Sequence, residues 1–226
     1  MSSKVIKKLQ GQVDKTIIKL VGRKFRKDPI GGKYSFLTSV LSSAYKRQGT
    51  MIEAAIIERL KEANHLDVIT EKEFCVSDKA NTLALKSGKD FTDMPGVNLQ
   101  YETKNADIKL QVDGIVYNKR TKIVSSYEIK RGNGVFDAGK KKSLRLEMLS
   151  TNFLLRDYYK KKRGIKAEAA HSYIVCYYGL RAFPKPFSLI KEDLDKHFGF
   201  EVCEEVEKVN RYFKNQLHKM IKSRLI

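Results

Sequence analysis

Hydrophobic residues near both ends of the chain recur at the spacing of an amphipathic helix. Residues 3–26 form the first such stretch, and its apolar stripe consists of Val5, Leu9, Val13, Ile17 and Leu20. A C-terminal stripe with the same spacing runs from Val202 to Met220. Two more helices are predicted, at 34–48 and from Gly49-Thr50 to about residue 64. The sequence therefore predicts helical regions at about 1–48 and 188–226.

The middle of the chain changes to a pattern of period two. Residues 67–105 indicate short strands and loops, and residues 108–117 and 122–130 alternate as half-buried strands do, with a polar turn between them. A long helix is predicted at about 137–162, and a β-branched and aromatic run at 172–178 reads as a strand. Strands joined through a helix in this way normally lie parallel in one sheet.

This order of elements predicts an α/β (α+β) fold, with a mixed central β-sheet flanked by helices. A length of 226 residues fits a single domain, 1–226, in which a core at about 49–180 carries the helical regions at either end.

Positive charge is the strongest feature of the composition. The chain has 45 Lys and Arg residues against 26 Asp and Glu, a formal net charge of +19. The charge is clustered, because residues 130–166 contain twelve bases and three acids. Self-repulsion of this size destabilises a compact protein, and nucleic acid is a common partner that offsets it. The alternative is a Lys-rich surface that only keeps the chain in solution.

Cysteine and histidine are not placed to hold a metal ion. Cys75, Cys176 and Cys203 include no C-x-x-C pair, and no two of the four His residues share metal-ligand spacing. Carboxylates would therefore have to hold any metal, which suits Mg²⁺. No apolar run is long enough to cross a membrane, and the N-terminus has no apolar signal core, so a cytoplasmic protein is expected.

The strands at 108–117 and 122–130 place charged residues together. If their turn is centred between Arg120 and Thr121, the numbers of facing residues add up to 241, so Asp113 faces Glu128. Facing residues share one side of the sheet with Cβ atoms about 4.5–5.5 Å apart, and Lys130 shares that side with Glu128. Two facing acids repel each other, and a divalent cation would remove this penalty, with the Ile129 carbonyl as a further oxygen ligand. The alternative is a solvated hairpin face on which Lys130 screens the acids.

The motif Val112-Asp113-Gly114, followed fifteen residues later by Glu128-Ile129-Lys130, resembles the PD-(D/E)xK nuclease superfamily, most of all its type II restriction endonucleases. The core of that superfamily orders a helix, three antiparallel strands, a helix and a strand, and the elements predicted over about 50–178 follow this order. Val112 stands where the family motif has Pro, a common variation.

The resemblance implies a Mg²⁺-dependent, sequence-specific double-stranded DNA endonuclease that leaves 5′-phosphate and 3′-hydroxyl ends. Asp113, Glu128 and the Ile129 carbonyl would hold the metal, and Lys130 would orient the attacking water. A homodimer is expected because two strands must be cut, and no nucleotide cofactor or membrane is expected.

Glu53 is a fourth candidate catalytic residue. Many members of the superfamily carry a Glu on the first core helix that reaches the metal. The alternative is structural, because Thr50-x-x-Glu53 has the spacing of a helix-capping box.

Bases just beyond the second strand are candidate DNA contacts, with a solvated helix face as the alternative: Arg131, Lys140, Lys141, Lys142 and Arg145. Two other functions stay open. One is a DNA repair, recombination or structure-specific nuclease on the same core, and the other is a non-catalytic nucleic-acid-binding protein whose acids are structural.

Overall fold

The computed structural model describes residues 4–22, 29–87, 91, 96–103, 108–132 and 134–225. The chain divides into two compact units. The first, called here the helical unit, comprises Met1–Arg59 and Leu194–Ile226, and the second, the sheet unit, comprises Leu60–Asp193.

Helices α1 (Lys4–Val21) and α6 (Cys203–Leu225) pack against each other in the helical unit. The apolar stripes explain why. Four of the five predicted α1 positions are buried, and in α6 and just before it all six are buried: Val202, Val206, Val209, Phe213, Leu217 and Met220. The Tyr212 hydroxyl donates a 2.8 Å hydrogen bond to the Asp14 carboxylate, which links the two helices beside their apolar contact.

Helix α2 (Ser35–Lys61) is one continuous helix, so the prediction of two helices separated at Gly49-Thr50 is wrong. A glycine inside a helix costs about 1 kcal/mol relative to alanine, so local propensity alone predicts that the helix ends at Gly49. Apolar residues on both sides of Gly49 are buried, among them Val40, Ala44 and Ile52, and this packing outweighs that cost. Thr50 therefore begins no helix.

The sheet unit is built on five strands in the order β1-β2-β3-β4-β5. They are β1 (Leu66–Val76), β2 (Ile108–Asn118), β3 (Ile123–Lys130), β4 (Ala169–Cys176) and β5 (Ser188–Ile190). Strands β1, β2 and β3 are antiparallel, whereas β3, β4 and β5 are parallel. The chain thus has a mixed α/β fold with a five-stranded mixed sheet flanked by helices, as predicted at that level.

Helix α4 (Ala138–Arg163) connects β3 to β4, and the two strands are parallel as the sequence predicts. Asp137 caps its N-terminus by accepting from the Lys140 amide, and Gly164 ends it with a φ of 72°, which favours glycine. Leu144, Leu155 and Tyr159 are fully buried in two apolar clusters with residues of the sheet.

Residues 67–105 differ from the prediction of short strands and loops. Strand β1 is eleven residues long, and helix α3 (Asp78–Lys86) follows it, capped by the Ser77 side chain. The buried face of α3 consists of Ala80 and Ala84, whose small side chains give too weak a periodic signal to predict a helix. Helix α5 (Lys191–Phe198) lies within the helical region predicted at about 188–226, whereas strand β5 was not predicted.

Strand β4 begins and ends earlier than its predicted range of 172–178, so Tyr177 and Tyr178 lie beyond it. Among the described residues no helix is long and apolar enough to cross a membrane.

Candidate active site

The register of β2 and β3 is the predicted one. Paired residues run from Asn118 and Ile123 to Gly114 and Tyr127, and their numbers add up to 241. The pairing ends there, and Asp113 and Glu128 directly follow its last pair. The neighbouring pairing of β1 with β2 shifts register between Ile69 and Glu71, whose partners are Ile115 and Val112. Asp113 thus lies where the sheet is irregular, and such irregularities often serve to aim a side chain.

The Asp113 side chain is buried and accepts a hydrogen bond from each of the two strands. Its Oδ2 accepts a 2.8 Å hydrogen bond from the main-chain amide of Ile129, and its Oδ1 accepts a 3.2 Å bond from Gln111 Nε2. Only 5% of Asp113 is exposed. An ionised carboxylate is stable at such a position when amide donors satisfy it. The two bonds fix its orientation and leave further lone pairs on both oxygens.

Glu128 and Lys130 form an ion pair beside Asp113. The Glu128 side chain is 20% exposed and that of Lys130 is 34% exposed, so solvent reaches both of them. Residues two apart in a strand point to the same side, and Glu128 lines a cavity with residues of α4, so the pair lies on the side of the sheet that α4 covers. The charge of Asp113 acts on both groups. The alternative of a fully solvated hairpin face does not match this burial.

The surroundings of Glu128 disfavour its negatively charged form. Burial raises the pKa of Glu128, and the Asp113 charge raises it further, while Lys130 partly opposes both effects. Burial tends to lower the pKa of Lys130, but the charges of Glu128, Asp113 and Glu147 outweigh it, so this pKa is raised. Lys130 is therefore held as an ammonium ion, and Glu128 is the carboxylate whose negative charge the site destabilises.

Sequence reasoning missed Glu147 on α4. It lines a cavity of about 30 Å³ together with Gln111, Glu128 and Thr151, and it accepts a 2.8 Å bond from the Ser143 hydroxyl. The available signal was its spacing of three residues from Leu144 and four from Thr151, which places an acid on the sheet-facing side of a basic helix.

Oxygen atoms are the donors that this site offers to a metal ion. Within the described ranges no group of three or more His, Cys, Asp or Glu side chains is arranged around a metal position. Asp113, Glu128 and the Ile129 carbonyl form a smaller set of hard ligands. Mg²⁺ is often held by only one or two carboxylates, with waters and substrate phosphate as its other ligands. The residues present fit such an ion and do not fit a closed structural metal site.

Glu53 lies in the helical unit, half-buried within α2. Because Thr50 is an interior residue of this helix, the capping-box interpretation of Glu53 is wrong. A role for Glu53 in catalysis stays a prediction.

The predicted DNA-contacting residues differ in their surroundings. Lys140 and Lys142 are exposed at the start of α4, and Lys141 is half-buried. Arg145 donates a 3.2 Å hydrogen bond to the carbonyl of Ser87, the residue that ends α3, so it has a structural contact. The Arg131 guanidinium lies 5.9 Å from the centre of the Tyr178 ring.

Comparison with known proteins finds no match to a family model, to a curated protein or to a solved structure.

Proposed function

We propose that the chain is a Mg²⁺-dependent, sequence-specific double-stranded DNA endonuclease of the type II restriction kind. The juxtaposition of Asp113, Glu128 and Lys130 carries this proposal. The three side chains come from two neighbouring strands, interact through their charges and are partly shielded from water. Two carboxylates that repel each other, next to an ammonium group, are the chemistry that hydrolysis of a phosphodiester needs.

The order of elements gives a second line of support. A helix, three antiparallel strands, a helix and a parallel strand follow one another as α2, β1 to β3, α4 and β4. This is the order of the PD-(D/E)xK core, with α3 as an addition between β1 and β2. We therefore propose a restriction-endonuclease-like core.

In this proposal Asp113, Glu128 and the Ile129 carbonyl would hold the metal ion. A divalent cation bound there would supply Lewis acidity, offsetting the charge of the phosphate and making water a better nucleophile at neutral pH.

The chain's own groups orient the reaction. Lys130 keeps its proton because three carboxylates surround it, so its ammonium group donates to the attacking water and to phosphate oxygens. The Ile129 amide and Gln111 hold the Asp113 carboxylate in one orientation. Glu128 must be ionised to act. Because its pKa is raised, it becomes protonated, and the site inactive, at a higher pH than a site with an ordinary glutamate would.

The positive charge supports DNA as the substrate. A net charge of +19 strengthens phosphate binding through counterion release, and exposed bases at Lys140 and Lys142 follow the site in sequence. A homodimer belongs to the same proposal, since one copy of the site cuts one strand.

A plasmid digest tests the proposal. Discrete fragments with 5′-phosphate and 3′-hydroxyl ends are expected with Mg²⁺, and no cleavage with EDTA. The Asp113→Asn protein, purified in parallel, is the control for contaminating nucleases. A Mg²⁺-dependent smear would favour the repair or structure-specific nuclease instead. Plasmid binding without cleavage in any divalent metal would favour the non-catalytic binding protein.

A further inference from the structure

The chain leaving β4 is joined to the residues that end β3. The amide of Tyr177 donates a 3.0 Å hydrogen bond to the Lys130 carbonyl, and the amide of Tyr178 donates a 2.8 Å bond to that of Arg131. Pairing of the two segments thus continues past both strands. Tyr178 is consequently held beside Arg131, one residue beyond the candidate catalytic lysine.

Two glycines bring the following loops together. A Cβ atom added to Gly179 would lie 1.3 Å from the carbonyl oxygen of Gly132, so no other residue fits there without moving the backbone. Gly132 has a φ of 72°, and a Cβ added to it would meet the Cys176 backbone at 3.0 Å. Gly132 and Gly179 therefore let the chain after β3 and the chain after β4 approach each other closely.

The loop after β4 exposes large apolar side chains, and one of them lies next to a cation. Tyr178, beside Arg131, is 38% exposed, and Leu180, two residues further on, is 71% exposed. We call Tyr178, Leu180 and Arg131 the aromatic patch. Exposed apolar residues are common singly, but two of them so close to a cation beside a candidate active site call for a partner.

The Tyr178 ring is held in place from two directions. Arg131 lies 5.9 Å from its centre, and the buried Tyr177 ring meets it at 4.9 Å with an angle of 80° between the planes. A ring already oriented in this way loses little entropy when a second flat group stacks on it.

We propose that the aromatic patch binds unpaired bases of a DNA strand next to the cutting site. Bases stack on aromatic rings, and arginine adds attraction to both the base and its phosphate. Exposed Leu180 is a side chain of the kind that wedges between unstacked bases. Three side chains are too few for a protein partner, because a stable interface covers about 800 Å² on each side. The assignment rests on the proposed function, in that a cut is made near Lys130.

Binding measurements in an Asp113→Asn background test this assignment without cleavage. The probes are a labelled single-stranded oligonucleotide and the blunt duplex of the same sequence, each titrated at one salt concentration and followed by fluorescence anisotropy. Tyr178→Ala should weaken binding of the single strand about tenfold or more, since stacking of one base contributes about 1–3 kcal/mol. Binding of the duplex should change much less, and Tyr178→Phe should bind both probes as the parent does.

Tyr45→Ala is the matched control, because it removes another exposed tyrosine, in the helical unit, and binding of neither probe should change. If Tyr178→Ala melts early, Leu180→Ser replaces it and should also weaken single-strand binding. Unchanged single-strand affinity, or equal losses on both probes, would overturn the assignment. So would a dimer that dissociates in Leu180→Ser while single-strand affinity stays the same, since the patch would then contact a second copy. Failure of the plasmid digest alone would overturn the nuclease and leave base stacking in place.

Discussion

Asp113 and Ile129 are joined by a 2.8 Å hydrogen bond from the Ile129 amide to the Asp113 carboxylate. The bond ties the side chain of one strand to the backbone of the next, midway between Glu128 and Lys130. It therefore sets the distance between the Asp113 carboxylate and the charged groups of Glu128 and Lys130. Substitutions of Asp113 can separate the contribution of this hydrogen bond to stability from the role of the carboxylate in cleavage.

Asp113→Asn and Asp113→Ala should both abolish cleavage and leave affinity for DNA nearly intact, because each removes a metal ligand and neither removes a phosphate contact. The two variants should differ in stability. Asparagine can still accept from the Ile129 amide, whereas alanine leaves this buried donor unpaired at a cost of about 1–3 kcal/mol. Thermal melting and a plasmid digest measure the two effects. Cleavage at the wild-type rate by either variant would remove Asp113 from the site.

Lys130→Ala should lower the rate of cleavage at least about a hundredfold, the scale for one group that stabilises charge in the transition state. Lys109→Ala is the matched control, because Lys109 lies on β2 in an exposed ion pair with Glu73. Single-turnover rates at saturating protein separate the chemical step from binding. Equal rates for the two variants would show that Lys130 has no catalytic role.

Glu128 should make the metal-free protein less stable at neutral pH than its Glu128→Gln variant. Its folded pKa is raised above 4.5 by burial and by Asp113, so the folded state binds this proton more tightly than the unfolded state does. The stability of the wild type relative to the variant should therefore rise as pH falls through the raised pKa towards 4.5, and stay constant below.

Melting temperatures of both proteins in EDTA across this pH window measure the difference. Adding Mg²⁺ at neutral pH should stabilise the wild type and not the variant, because the ion binds the ionised carboxylate. If the difference in melting temperature did not vary with pH, folding would not raise the pKa of Glu128.

Glu53→Gln should cut DNA slowly if the carboxylate serves the active site, and it removes no helix cap, since Glu53 lies within α2. Thermal melting shows whether a loss of activity comes with a loss of stability. Glu58→Gln on the same helix is the control. It removes the 3.0 Å ion pair with Lys8, and cleavage should not change. Full activity of Glu53→Gln would remove Glu53 from the catalytic set.

The basic residues of α4 should separate into two classes. Arg145→Ala should lower the melting temperature, because Arg145 bonds to the Ser87 carbonyl. Lys140→Ala and Lys142→Ala should leave stability unchanged and lower the slope of log affinity against log salt by about 0.9 for each phosphate that the side chain no longer neutralises. Affinity should fall alike on all DNA sequences, since phosphate contacts do not read bases. Relaxed cleavage at one base position would mean that α4 contacts base edges.

Local sequence determined the part of the fold on which the candidate site depends. Period-two alternation and a short polar turn specify the β2–β3 hairpin, and the register follows from where the turn is centred. Asp113 and Glu128 therefore lie together at the end of the paired segment for reasons contained within about twenty residues. The long helix α4, with Asp137 and Gly164 at its two ends, was readable for the same reason.

Tertiary packing decided what local signals could not. Gly49 lies within a continuous helix because buried neighbours on both sides outweigh its low propensity, and α3 forms although its buried face is only alanine. Glu147 reaches the site only because α4 crosses the sheet at Glu128, a contact between residues nineteen positions apart. Tyr177 and Tyr178 look alike in sequence, yet one is buried and the other is exposed beside Arg131. The burial of a residue and the charges around it depend on which surfaces meet, and the order of residues along one element does not contain that information.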